Sequence, residues 1–124
     1  MKVFGIDNVL FAVGDLDQAV EFYHAKLGLP VKFEVPQIGI AAFRLGDEEP
    51  GILVRAQAET TPRVWLEVDD ARRTAEELKH QGIEPLKPPF ELHTGWAFEV
   101  ADPWGNVIGF TDYTKDRSLA RRAR

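Results

Sequence analysis

Two stretches of the chain carry one pattern of apolar and polar positions. NVLFAVGDLDQAVEFYHAKLGLP, from Asn8, and RVWLEVDDARRTAEELKHQGIEP, from Arg63, each open with alternation, pass into helical spacing and stop at a glycine. The alternation puts Val9, Phe11 and Val13 on one face of a strand, and Val64, Leu66 and Val68 on one face of another. Asn8, Leu10 and Ala12, and in the second copy Arg63, Trp65 and Glu67, share the opposite face. Asp15 followed by Gln18 predicts an N-cap, and Leu16, Ala19, Val20, Tyr23 and Leu27 form one helical stripe that Gly28 ends. The second helix is predicted from near Asp70 to Gly82, with Ala71, Ala75 and Leu78 on a narrower stripe and its charged remainder in solvent. Val9 answers Val64, Val13 answers Val68 and Asp15 answers Asp70 at a period of about 55 residues. The chain reads as two copies of one unit.

Further strands follow each helix: VKFEV, IAAFRL and ILVRA in the first copy, WAFEVA and NVIGF in the second. PLKPPFELHTG, with three prolines, suits an edge strand or a covering loop rather than a central strand. Asp102-Pro103-Trp104-Gly105-Asn106 reads as a tight turn that places the strand Val107–Phe110. The plan is β-α-β-β-β, twice, an α+β arrangement with modules at about residues 4–57 and 60–114. Phe11, Phe22, Phe98 and Phe110 are expected in the core.

At 124 residues, with 44% hydrophobic and 28% charged residues, the chain is sized for one globular domain over residues 1–114. It has no apolar run of membrane-spanning length and no signal-peptide pattern at its start, so cytoplasmic residence without membrane association is expected. The absence of Cys removes disulfides, thiolate metal sites and a Cys nucleophile. Charge is unevenly spread. KDRSLARRAR, residues 115–124, has net charge +4, leaving −9 on residues 1–114 of a chain at −5 overall. An acidic body argues against nucleic acid as a partner, and the basic tail reads most simply as a solvated terminus.

Few side chains offer catalysis. The only serine is Ser118, in the tail, which removes a serine-type triad, and no glycine-rich phosphate loop is present. His24 and His80 fall near helix ends, where solvent and the helix dipole account for them. His93, ahead of the GWAF strand, suits a ligand contact or a loop hydrogen bond equally. Glu67 is the one weak catalytic candidate, as a general base if burial raises its pKa; Arg63, two residues away on the same face, would instead hold it in an ion pair.

Taken in order, NVLFAVGDLDQAVEFYHAKLGL, VWLEVDDARRTAEELKHQGI and GWAFEVADPWGNVIGF resemble the vicinal oxygen chelate superfamily of glyoxalases, bleomycin-resistance proteins and extradiol dioxygenases. The resemblance implies two βαβββ modules whose curved mixed sheets surround a cleft, in a homodimer that can exchange modules between subunits. In metal-using relatives the first strand of each module and the strand after the Asp-Pro turn supply ligands. The corresponding positions here hold Asn8, Arg63, Gly109 and, near the end of the first module, Leu53 or Val54. None is a good ligand, and Arg63 would oppose a cation, so no metal and no other cofactor is expected.

The module plan instead brings aromatic and polar side chains around the opening: Phe33, Phe43, Trp65, Phe90, Trp96, Trp104 and Tyr113, with Asn8, Arg55, Arg63, Glu67 and His93. This set suits a flat, partly polar molecule held by stacking and a few charged contacts. The expected function is metal-independent binding of a hydrophobic or aromatic small molecule, such as an antibiotic or secondary metabolite. The competing expectation is a lyase, isomerase or dioxygenase, with unusual metal ligands drawn from Glu67, His93 or Glu99, or with Glu67 as a metal-free base.

Overall fold

The predicted helix cap at Asp15 forms, and Asp70 caps the second helix in the same way. In the computed structural model, which describes residues 1–47, 50–57 and 59–121, Asp15 Oδ1 accepts from the Gln18 N–H at 2.9 Å and Asp70 Oδ1 from the Arg73 N–H at 3.0 Å. Each satisfies a helix-end donor that would otherwise be orphaned. The fold is α+β, with eight strands among the described residues in parallel and antiparallel pairings. Residues Asn8–Arg63 make one compact unit, and Met1–Asp7 with Val64–Arg124 make the other. Strand β1 (Val3–Ala12) starts earlier than the repeat predicts and gives half its length to each.

In the Asn8–Arg63 unit, β2 (Val31–Val35), β3 (Ile40–Phe43) and β4 (Gly51–Arg55) are antiparallel neighbours. Strand β4 also pairs parallel with β1, from Asn8 opposite Gly51 to Ala12 opposite Arg55. Helix α1 (Leu16–Val20) continues as a π-helical turn, Glu21–Lys26, whose wider register shows in the Leu27 N–H bond to the Phe22 carbonyl. The turn keeps Tyr23 inward, stacked on Phe43 at 5.3 Å, and carries Phe22 outward. Here the expectation of a buried Phe22 fails: the ring is 49% exposed. Phe11 likewise keeps 37% exposure, because Phe43 and Val54, both fully buried, fill the core against α1.

In the other unit, β5 (Arg63–Val68) pairs parallel with β8 (Val107–Thr111), β8 pairs antiparallel with β7 (Trp96–Ala101), and β7 with β6 (Phe90–Glu91). The proline-rich segment thus yields a two-residue edge strand, as its composition requires. Helix α2 (Ala71–His80) packs Ala71, Ala75 and Leu78 on Val68, Phe98 and Phe110, the last two rings stacked at 4.9 Å.

Asp112, fully buried just after β8, ties these elements together. Its Oδ2 accepts from the Ala71 N–H at the start of α2 at 2.6 Å, and its Oδ1 accepts from the Trp96 N–H, the Thr114 N–H and the Thr114 hydroxyl. Gly95 must be glycine here, since a Cβ would lie 2.1 Å from Asp112 Oδ1 and 2.5 Å from its carbonyl oxygen. No described helix is long and apolar enough to cross a membrane.

Candidate functional site

Strand β5 buries both faces. Val68 and Leu66 turn to α2, so alternation sends Trp65 and Glu67 to the opposite side. That side is also closed: Trp65 is 8% exposed and Glu67 is 1% exposed.

Trp65 stands opposite Gly109 in the β5–β8 register. Its indole lies over that glycine so closely that a Cβ there would fall 2.2 Å from Cε3. The indole therefore fills the space that the missing side chain leaves. Its Nε1–H is buried and has no hydrogen-bond partner among the described residues.

Glu67 is met by the tail. Arg121 donates its backbone N–H to Oε2 at 2.9 Å and its Nη1 to Oε1 at 3.0 Å. Its Nη2 donates to the Ile6 carbonyl at 2.6 Å. Asp7, next along β1, accepts a hydrogen bond from the Tyr113 hydroxyl. Burial raises the Glu67 carboxyl above its ordinary range; the Arg121 N–H opposes this, the charge of Asp7 reinforces it, and the guanidinium opposes it again. Burial, and then Asp7, push the Tyr113 phenol well above its ordinary value, so it stays a donor.

The expectation that Arg63 holds Glu67 is revised accordingly. The cation on Glu67 is Arg121, while Arg63 donates through Nε to the Thr61 carbonyl and through Nη2 to its hydroxyl. The tail is not merely solvated: it passes a 3₁₀ turn at Arg117–Leu119, pairs Arg117 with Asp69 at 3.1 Å, and seats Arg121. Arg122 and Arg124, the rest of the predicted basic stretch, lie outside the described residues.

The remaining predicted residues are divided between the two units. In the Asn8–Arg63 unit, Phe43 belongs to the core, Phe33 is 37% exposed on β2, and Asn8 and Arg55 are half-buried on β1 and β4. In the other unit, Trp96 packs against the α2 core beneath the Arg72 guanidinium, 4.3 Å from its ring, and Phe90 on β6 has Lys87 at 5.5 Å. His93 is exposed in the turn closed by the Leu92 N–H to the Gly95 carbonyl. Trp104 is 84% exposed on the Asp102 turn. Asp102 Oδ1 accepts the Trp104 and Asn106 N–H groups there, and its Oδ2 the Asn106 amide, contacts that hold its carboxyl below the ordinary range.

Sequence reasoning missed Asp7 and Arg121. The only signal for Arg121 was the charge opposition between tail and body, because 54 residues separate it from Glu67.

The positions that metal-using relatives give to ligands do not fit a metal in this chain. Leu53 and Val54 are both aliphatic, Val54 being sealed in an apolar core, the Gly109 position is covered by an indole, Arg63 carries a permanent positive charge, and Asn8 alone offers a neutral oxygen. Among the described residues, no group of three or more His, Asp and Glu side chains is placed to hold one.

Comparisons with known proteins agree on the fold. A Mycobacterium tuberculosis methylmalonyl-CoA epimerase superposes with a TM-score of 0.74 at 21% identity, over 95% of this chain and 93% of that one. A Streptomyces coelicolor methylmalonyl-CoA epimerase variant in complex with 2-nitronate-propionyl-CoA gives 0.71 at 20% identity, over 91% and 99%. A Legionella pneumophila structure described as an NAD-dependent benzaldehyde dehydrogenase gives 0.63 at 21% identity, over 86% and 98%. No curated protein sequence matches significantly. The profile of one family does, across residues 5–110, and with the repeated βαβββ plan it shows that the chain belongs to the Glyoxalase/Bleomycin resistance protein/Dioxygenase superfamily.

Proposed function

We propose that this protein binds a hydrophobic or aromatic small molecule, such as an antibiotic or secondary metabolite, without a catalytic metal. The observation that carries the reading is Trp65, a large aromatic ring laid over Gly109 with its N–H donor buried and unmet among the described residues. A buried donor left without an acceptor costs about 1–3 kcal/mol, so such groups are rare and each calls for a physical reason. A bound aromatic molecule that opens this closed side and brings an acceptor to the indole edge would recover that cost. Bleomycin resistance proteins are named in the same superfamily.

The test is titration with a panel of flat aromatic natural products. Saturable quenching of tryptophan fluorescence is expected in the unmodified protein. By calorimetry, Trp65→Phe, which keeps a ring but removes the donor, should weaken binding about tenfold, the equivalent of one hydrogen bond of about 1.4 kcal/mol. No saturable response to any compound would overturn the assignment.

Glu67 favours one second reading, proton transfer without a metal, because burial raises its pKa toward the range of a useful acid–base group. Its structural neighbours include methylmalonyl-CoA epimerases. Arg121 occupies both carboxylate oxygens, which ranks this reading second. Turnover of methylmalonyl-CoA that disappears in Glu67→Gln would reverse the ranking.

A further inference from the structure

The group around Arg121 has two unlike halves. Glu67 is on β5, and Ile6 and Asp7 are on β1, so the acceptors are carried by strands. The guanidinium they hold arrives on a segment outside any helix or strand, two residues beyond a 3₁₀ turn. Each acceptor suits the guanidinium fork: Glu67 Oε1 takes Nη1 at 3.0 Å, and the Ile6 carbonyl takes Nη2 at 2.6 Å. The face of Gly5 lies alongside, with the Arg121 Cζ 3.6 Å from where a Cβ would project. Asp7 adds a second negative charge close enough to push up the Glu67 carboxyl. A buried carboxylate, a carbonyl and a neighbouring carboxylate form an acceptor set that selects a planar organic cation, because such a cation supplies parallel N–H donors and positive charge together.

We propose that the Glu67 carboxylate and the Ile6 carbonyl are a receptor for an amidinium or guanidinium group on the protein's ligand, and that Arg121 is a built-in occupant which the ligand displaces. The receptor stands on its own geometry; only the aromatic remainder of the ligand rests on the function proposed above. A tethered occupant competes at an effective concentration of the order of millimolar, so the free receptor is a minor state and apparent affinity is reduced by its fraction. The charge distribution supports the same exchange: a body at −9 attracts both the tail at +4 and any cationic ligand.

The experiment compares benzamidine, an aromatic amidinium, with benzamide, its neutral near-isostere. Both are titrated by calorimetry into the full chain and into its Arg121→Ala, Arg121→Lys and Arg121→Ala/Glu67→Gln variants. Benzamidine should bind Arg121→Ala at least about tenfold more tightly than the unmodified protein, the competitor being gone. Arg121→Lys should stay near the unmodified value, and Glu67→Gln should abolish the gain. Benzamide should not distinguish the variants. If Arg121→Ala is too unstable to titrate, the same ranking should appear as benzamidine-dependent stabilisation on thermal unfolding, absent when Glu67 is also replaced.

Equal benzamidine binding by the unmodified protein and Arg121→Ala, or a gain that survives Glu67→Gln, overturns the receptor. If that occurs while the aromatic panel still quenches tryptophan, the cation site falls and the aromatic-binding function stands. A Glu67-dependent benzamidine gain with no panel response does the reverse.

Discussion

Glu67 is 1% exposed and yet accepts two hydrogen bonds from one arginine, so opposed effects set its titration. Loss of water is the largest and favours the protonated form; the Arg121 N–H and guanidinium favour the ionised form, and Asp7 pushes back toward the protonated one. The balance lies above the ordinary 4.5. An acid whose folded pKa exceeds its unfolded pKa holds its proton more tightly when folded. Its stabilisation is therefore complete below pH 4.5 and is lost as pH rises through the folded value. Carbon-13 titration of the Glu67 carboxyl should give a midpoint above 4.5, and Arg121→Ala should move it further up because the opposing guanidinium is gone. Across the same pH window, the thermal midpoint of the unmodified protein should fall relative to that of Glu67→Gln. A carboxyl midpoint at or below 4.5 would mean that Arg121 outweighs burial.

Elements here are held by residues that join several segments at once, and Asp112 joins three: the start of α2, the start of β7 and Thr114 just beyond β8. Asp112→Asn preserves size but replaces one acceptor oxygen with a donor, which must then face a buried backbone N–H. The expected cost is about 2–4 kcal/mol, read as a lower urea midpoint with unchanged slope, because a buried donor loses its acceptor and a charge-assisted bond is lost. An unchanged midpoint would place the capping of α2 elsewhere. Asp112 was invisible in the sequence, since its partners lie 41 and 16 residues away. The cap at Asp15 was legible because it acts over three residues, and the repeat of strand and helix was legible because periodicity is local. The π-helical turn broke that periodicity after Val20 and carried Phe22 out of the core. At the candidate site, alternation located Trp65 and Glu67 on one face of β5, but the cation on Glu67 depended on where a distant tail is laid.

At the scale of the whole chain, an acidic body and a basic tail are parts of one electrostatic arrangement. Arg117 meets Asp69 at an exposed position, where a pair contributes little and is screened by salt. Arg121 meets Glu67 where both side chains are largely out of water, 18% and 2% exposed, and loss of either partner leaves the other charge uncompensated. The two contacts should therefore respond differently to ionic strength. Raising salt to about 1 M shortens the screening length to about 3 Å, which weakens the Arg117 pair but not the enclosed Arg121 contact. Hydrogen exchange at the Arg121 N–H, bonded to Glu67 Oε2, should accordingly remain protected. A chain ending at Asp116 removes both contacts and should lose about 3–5 kcal/mol of stability at neutral pH, mainly from the buried Glu67 charge left behind. Glu67→Gln in that shortened chain should recover at least half of the loss, because the uncompensated charge is then gone. In the full chain the same substitution should destabilise, since it removes a partner from Arg121. That reversal of sign, read from urea midpoints of the four chains, distinguishes a tail that neutralises a buried acid from one that simply adds packed surface. If Glu67→Gln has the same effect with and without the tail, the two are uncoupled and the contact contributes no specific stability.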